Sequence, residues 1–319
     1  MNLQLMIQNG YKVFYPDVEE DLTWKTERKG VPGKLSFSCI LDDALHVIEE
    51  GNSVKLVVDD TPMFYGFVFS KSRTKQRKIK MVAYDQFRYL KNKDTYVFEA
   101  GRADENIKMI CDDYGIRYNP LTNTGWVIPS RIEENSCLID IMQTALNITT
   151  TNSKKLYVLY DNVGRLELKA ATDMKVNILL DASTAEDYSY QTSIDSNTYN
   201  RIKLVYDDKS GTRQIFIAED KGGTMQKWGT LQYYEGITDI TSAQNEADML
   251  LQLYNIRHKS LKFTGVIGDK SVRAGSVIMT YIDLGDSRIN NYMLVESCTH
   301  HFKHNKHTMD LTVRGGEFV

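Results

Sequence analysis

Strict alternation of apolar and polar residues constrains this fold more than any other feature of the sequence. Leu35, Phe37 and Cys39 alternate with polar neighbours. So do Val54, Leu56 and Val58, and again Ile79, Met81 and Ala83. Side chains along a strand point to opposite faces in turn, so each run makes a strip with one apolar face. Pro32-Gly33 gives a turn just before the first strip. Residues 1–94 therefore read as antiparallel β. The period then lengthens. Ile107, Ile110, Cys111 and Tyr114 have helical spacing, with Gly115 placed to end the helix. Leu138, Ile141, Met142 and Ala145 repeat the pattern, with Ser136 as the expected N-cap. Strands at 156–160 and 166–168 flank a turn containing Asp161, Asn162 and Gly164. A small α+β module thus covers 95–183. Alternation returns at Ile202, Leu204 and Tyr206 and at Ile215 and Ile217. It gives way to a helix with a capping box of Thr241 and Gln244 and a stripe of Ala243, Ala247, Leu250, Leu251 and Tyr254. Strands resume near 261 and run to 313.

Two stretches share an order. Gly51-Asn-Ser-Val54, Tyr65-Gly-Phe-Val68 and 78–82 are matched by Gly275-Ser-Val277, Tyr292-Met-Leu-Val295 and 308–313. This pattern predicts a weak internal repeat of a small antiparallel barrel.

Composition narrows the function classes. The chain has 319 residues, 42% hydrophobic and 25% charged, as in a soluble globular protein of two or three domains. A net charge of −3 gives no overall attraction to nucleic acid or anionic membranes. No apolar stretch is long enough to span a bilayer, and the N-terminus lacks the basic start and apolar core of a secretory signal. Cys39, Cys111, Cys137 and Cys298 are scattered without CxxC spacing, as expected for reduced core residues of a chain made in a cytoplasm.

Motifs for chemistry are sparse. The sequence contains no nucleophile elbow, phosphate-binding glycine loop, dinucleotide fingerprint or HExxH. The acidic pairs Asp42-Asp43, Asp59-Asp60 and Glu133-Glu134 are sequence neighbours that face opposite ways on a strand. Cys298 and His300 share a face but lie ~7 Å apart along an extended chain. His300, His301, His304 and His307 fall within one hairpin. His300, His304 and His307 are the candidate metal ligands, although structural zinc sites usually add cysteine. A hairpin with exposed histidines is the favoured expectation. Lys71, Arg73, Lys75 and Arg77 share one strand face, and the phase shifts at Lys78 and Lys80. A solvated hairpin with a cationic tip is the favoured expectation, and these residues are the candidate electrostatic contact, with an acidic partner or with DNA in a lumen. Two aromatic clusters, Tyr84/Phe87/Tyr89 and Trp228/Tyr233/Tyr234, suit either packing in the core and at domain junctions, the favoured reading, or an exposed subunit interface. No catalytic residue, metal or cofactor is assigned.

The ordered landmarks resemble one family across nearly the whole chain: the XkdQ/YqbQ-type tail hub proteins of contractile phage tails, defective prophages and R-type tail bacteriocins. The resemblance is carried by Trp24 and Glu27, Pro32-Gly33-Lys34-Leu35-Ser36-Phe37, Gly66 and the block Ala83-Tyr84-Asp85-Gln86-Phe87-Arg88-Tyr89-Leu90. It continues through Tyr160-Asp161, Gly164, Tyr199-Asn200 and the block Trp228-Gly229-Thr230-Leu231-Gln232-Tyr233-Tyr234. Arg273-Ala274-Gly275-Ser276 and His307-Thr308-Met309 complete it. It implies a mainly β fold with a smaller α+β part: two tube-like antiparallel β-barrels plus an inserted α+β domain. The first barrel would be 1–94. The outer domain would be 95–183, completed by an insert at 221–257. The second barrel would be 184–220 with 258–319. The resemblance further implies a homotrimeric, pseudo-sixfold baseplate hub between tail tube and central spike, with no enzymatic activity. Baseplate wedge and tape-measure proteins are further implied partners, and DNA would only pass through the lumen. The chain would be assembled in the bacterial host cytoplasm and end in the tail of a phage or phage-like particle, without membrane insertion. Tyr84, Asp85, Gln86, Arg88, Trp228, Gly229, Gln232 and Tyr233 are the signature positions for structure or interfaces, with Asp85 and Arg88 expected to pair. The alternatives are a tail-associated peptidoglycan hydrolase and a carbohydrate-binding module.

Overall fold

The predicted strips form strands paired into one meander. The computed structural model describes residues 1–18, 22–40, 47–73, 75, 78–195, 197–207, 212–237, 240, 243–285 and 288–315. Seven strands open the chain: β1 (Leu3–Asn9), β2 (Lys12–Phe14), β3 (Leu22–Glu27), β4 (Lys34–Ile40), β5 (Ser53–Val58), β6 (Thr61–Arg73) and β7 (Lys78–Tyr84). β5, β6, β7 and β4 are successive antiparallel neighbours. Leu35, Phe37, Leu56, Ile79 and Met81 enter one core with Trp24 and Phe64. Each such side chain contributes about 1.5–3 kcal/mol on full burial. A one-residue slip would turn the whole set outward, so the alternation fixes the register.

The α+β module follows, with β8 (Lys93–Phe98), β9 (Gly101–Arg102), α1 (Ala103–Asp113), β10 (Val127–Ile128), β11 (Arg131–Cys137), α2 (Leu138–Ser153), β12 (Tyr157–Asp161) and β13 (Leu166–Ala170). Ile107, Ile110 and Cys111 of α1 meet Leu138, Ile141, Met142 and Ala145 of α2 in one core. Gly115 follows α1 at φ +62°. The expected cap of α2 is displaced by one residue. Cys137 is the N-cap, without a side-chain bond, while Ser136 Oγ turns back to donate to Glu134 O at 3.0 Å.

After β14 (Lys175–Leu180) and β15 (Asp187–Ser193), the chain builds a second compact unit over Tyr190–Ser260. It holds β16 (Arg201–Asp207), β17 (Arg213–Glu219), α3 (Thr224–Trp228), β18 (Gln232–Ile237) and α4 (Ala243–Tyr254). β16 pairs antiparallel with β17 and parallel with β18. Ala247, Leu250, Leu251 and Tyr254 of α4 pack on this sheet as the stripe predicts, whereas Thr241 of the capping box lies outside the described residues. The expected place of β16 and β17 in the second barrel does not match. Alternation identified both as strands, but their partners are each other and β18, under α4.

The first unit is completed by β19 (His258–Ile267), β20 (Val277–Asp283), β21 (Arg288–Lys303) and β22 (Lys306–Gly315). One sheet runs in the order β15-β19-β22-β21-β3-β4-β7-β6-β5-β1-β2, with β20 and β14 joined at β21. The mainly β class holds. The two expected barrels are two halves of one sheet joined at β3 and β21, and the ends of its path do not pair among the described strands.

Candidate functional site

The two halves repeat at the level of single hydrogen bonds. In the first, Gly51 N–H donates to Val68 O at 2.8 Å and Val68 N–H to Asn52 O at 2.9 Å. In the second, Gly275 N–H donates to Val295 O at 2.8 Å and Val295 N–H to Ser276 O at 2.8 Å. Gly51 and Gly275 both have φ near +90°, at 90° and 94°, a region costly for other residues. Val68 pairs with Ala83, which pairs with Leu35. Val295 pairs with Val313, which pairs with Leu261. Two residues on, Phe37 faces Met81 and Phe263 faces Leu311. All ten of these lattice side chains from Val68 to Leu311 are buried. Both long strands then bulge at the same step. Phe69 and Glu296 are the extra residues, and such bulges bend a strand and re-aim a side chain. At the bulge the copies diverge in chemistry. Phe69 packs edge-on to Tyr84 and lies under the Arg88 guanidinium. Glu296 binds Arg28 through two bonds of 2.9 Å and Arg314 Nε at 2.9 Å.

A buried polar junction lies where the halves meet the module. Asp85 leaves β7 and caps the 3₁₀ turn Gln86–Lys91. Its Oδ1 accepts from Phe87 N–H at 3.0 Å and its Oδ2 from Gly33 N–H at 2.8 Å. Gln86 Nε2 donates to Arg117 O at 3.0 Å, reaching into the module. Arg273, just before β20, donates from Nη2 to Asp161 O at 2.6 Å and lies over the Tyr160 and Trp24 rings. Burial, and then the nearby Asp161, push the Asp85 carboxyl well above the usual range. Burial likewise raises Asp161 to about 6. Burial depresses Arg273. Arg88 does not pair with Asp85 as expected: its side chain turns to Phe69, and only its backbone N–H donates to Asp85 O, at 3.1 Å. Tyr84 is half-buried on β7, beside Phe69.

The signature residues of the second unit serve its own fold. Gly229 ends α3 at φ +75°, and its carbonyl accepts from Asn200 Nδ2 at 2.8 Å. The Arg257 guanidinium lies 6.0 Å from the Trp228 ring centroid. Tyr233 packs with Tyr199 and Tyr254, and its hydroxyl, held by Glu235 at 2.8 Å, is pushed up to about 12. Gln232 is exposed at the start of β18.

The histidine hairpin differs from expectation. His300 is fully buried, and His301 on the other face bonds Asp310 at 2.9 Å. His300 Nε2–H donates to Val272 O at 2.9 Å, so its Nδ1 accepts from His307 Nε2–H at 2.8 Å. Its ring stacks on Trp24. Burial, then His307, lower His300 to about 3, and burial lowers His307 to about 4. This is a neutral, packed pair. His304 is exposed at the turn, and no cluster of three metal-ligating side chains forms among the described residues. The Cys298 thiol comes within 3.2 Å of His300 Nε2, closer than the strand spacing suggests. Burial raises its pKa, so it stays a thiol and not the reactive thiolate. Signal for the burial of His300 was present: it shares strand parity with Cys298 and Phe302. Of the basic run, Lys71 donates to the Ile48 carbonyl, Arg73 and Lys75 are exposed, and Arg77 lies outside the described residues.

This duplicated sheet with its inserted α+β module is a phage-tail-protein fold. The chain superposes on a prophage MuSo2 43 kDa tail protein from Shewanella oneidensis with a TM-score of 0.71 at 12% identity, covering 97% of this chain and 98% of that one. It also superposes on an E. coli component of the type VI secretion system described as structurally similar to the T4 bacteriophage tail proteins gp27 and gp5. There the TM-score is 0.55 at 8% identity, covering 99% of this chain and 78% of the other. These likenesses establish the fold. Membership rests on sequence: the chain belongs to the YQBQ-like family, whose model matches residues 22–314. It is 32% identical over 305 residues to the phage-like element PBSX protein XkdQ of Bacillus subtilis strain 168, covering 93% of this chain and 92% of that protein.

Proposed function

We propose that this chain is the structural hub of a contractile-tail baseplate. Three copies form a ring in which each contributes two similar β halves, giving six around a threefold axis. The observation that carries this is the matched Gly–Val lattice and bulge in both halves of one chain. A duplicated half lets a trimer meet a sixfold tail tube on one side and a threefold spike on the other. The divergent bulges, aromatic at Phe69 and acidic at Glu296, give the six positions alternating chemistry, as a trimer of duplicated chains requires.

Tail tube and central spike are the principal partners, with wedge and tape-measure proteins beyond them. The Lys71, Arg73, Lys75 and Arg77 hairpin makes electrostatic contact with an acidic partner or with DNA in transit, without sequence preference. The role is mechanical and uses no cofactor. Synthesis and assembly take place in the host cytoplasm, and the finished protein resides in the tail. Among the described residues no helix is long and apolar enough to cross a membrane. Deleting the coding sequence from its host element tests this: particles should lack assembled tails, with wild-type chain supplied in trans restoring them. Normal tails in the deletion would overturn the proposal.

A further inference from the structure

We infer that a basic pocket at the exit of β7 binds carboxylate side chains of an acidic segment from a partner protein. The pocket has a volume of about 250 Å³ and is walled by Lys25, Lys34, Arg88 and Lys91, with Tyr84 and Glu27. Four cations against one acid is a strong local bias in a chain of net charge −3. The placement is built into the sheet. Lys25 on β3 lies directly opposite Lys34 on β4, and Lys34 directly opposite Tyr84 on β7. Like charges facing each other across strands are destabilising; Glu27 offsets this at Lys25, and Lys34 is left for an anion to meet.

Glu27 neutralises Lys25 at 2.6 Å. Among the described residues, no carboxylate pairs with Lys34, Arg88 or Lys91. The Phe69 ring under Arg88 holds that guanidinium in place, and its planar fork suits a bidentate carboxylate. Glu27 shows that a carboxylate fits among these lysines. Tyr84 is the sole aromatic of the wall, fewer than the stacking platforms of single-strand binders. The inference is independent of trimer formation.

The test uses the full chain and a fluorescein-labelled tetraglutamate peptide, followed by anisotropy at low salt. Wild type should bind saturably, more weakly as salt rises. Lys34→Glu with Lys91→Glu should weaken binding at least about tenfold. A short single-stranded oligonucleotide should not displace the peptide. Because Lys34→Glu places an acid opposite Lys25, the unfolding midpoint of that variant should hold or rise. Should the double variant fail to fold, Arg88→Gln carries the same expectation of weaker binding. No saturable binding, equal binding by the variants, displacement by the oligonucleotide at equal concentration, or a fall in unfolding midpoint matching the loss of binding would each overturn it. Light scattering on the same samples separates this from the hub proposal: a trimer that ignores the peptide defeats the pocket alone, and a monomer that binds it supports the pocket alone.

Discussion

The Asp85 carboxylate accepts from Gly33 and Phe87 in a buried setting, so removing it leaves two backbone donors unmet. Each such donor costs about 1–3 kcal/mol. Asp85→Ala should therefore lower stability by about 3 kcal/mol in a urea titration, and a change below about 1 kcal/mol would contradict the capping role. Asp161 acts in the opposite sense to the histidines with pH. Its raised carboxyl contributes stability that is complete below the ordinary aspartate range and lost as pH climbs to about 6. His300, lowered to about 3, contributes stability that is present above its ordinary value and lost as pH falls. For a group shifted this far, about 2 kcal/mol should disappear between pH 7 and pH 5. His300→Phe keeps the stacking with Trp24 and should remove about that much of the slope; an unchanged slope would show that the buried imidazole is not the cause. The strand parity His300 shares with Cys298 and Phe302 carried the signal for its burial, although exposed histidines were the expectation. By contrast, the pairings of Arg28 with Glu296 and of Arg273 with Asp161 join residues more than a hundred positions apart, and no local pattern announces them.

Alternation and helical spacing identified β4, β5 and β7, the strands from 261 onward, and the cores of α1, α2 and α4. They failed on partners. β16 and β17 read as strands of the second half, yet they pair only within the second unit, because a half-buried strand takes whichever edge its own connections present. The repeat was legible because its anchors are backbone events that leave residue signatures: a glycine at positive φ, then a valine before the bulge. Gly66 gives the sharpest test at this scale. A Cβ there would lie 2.2 Å from the Tyr84 carbonyl oxygen. Gly66→Ala should cost about 3 kcal/mol, or prevent folding. Gly222→Ala meets nothing within 4 Å and should stay within about 0.5 kcal/mol of wild type. Equal melting temperatures for the two variants would show that β6 and β7 are free to separate at this crossing.

At the scale of the whole molecule, the YQBQ-like chain presents two equivalent β halves joined at β3 and β21, an α+β module pinned to both through Gln86 and Arg273, and a second unit with its own core. The Gly51–Val68 lattice recurs as Gly275–Val295, and the proposed ring, which would match both threefold and sixfold neighbours, gives that recurrence a use. The most direct test is the solution mass of the purified chain by light scattering across a concentration series, alone and with its cognate spike protein. The hub proposal predicts a species of three times 36.6 kDa. A mass that stays at one chain under every condition, spike included, would contradict it.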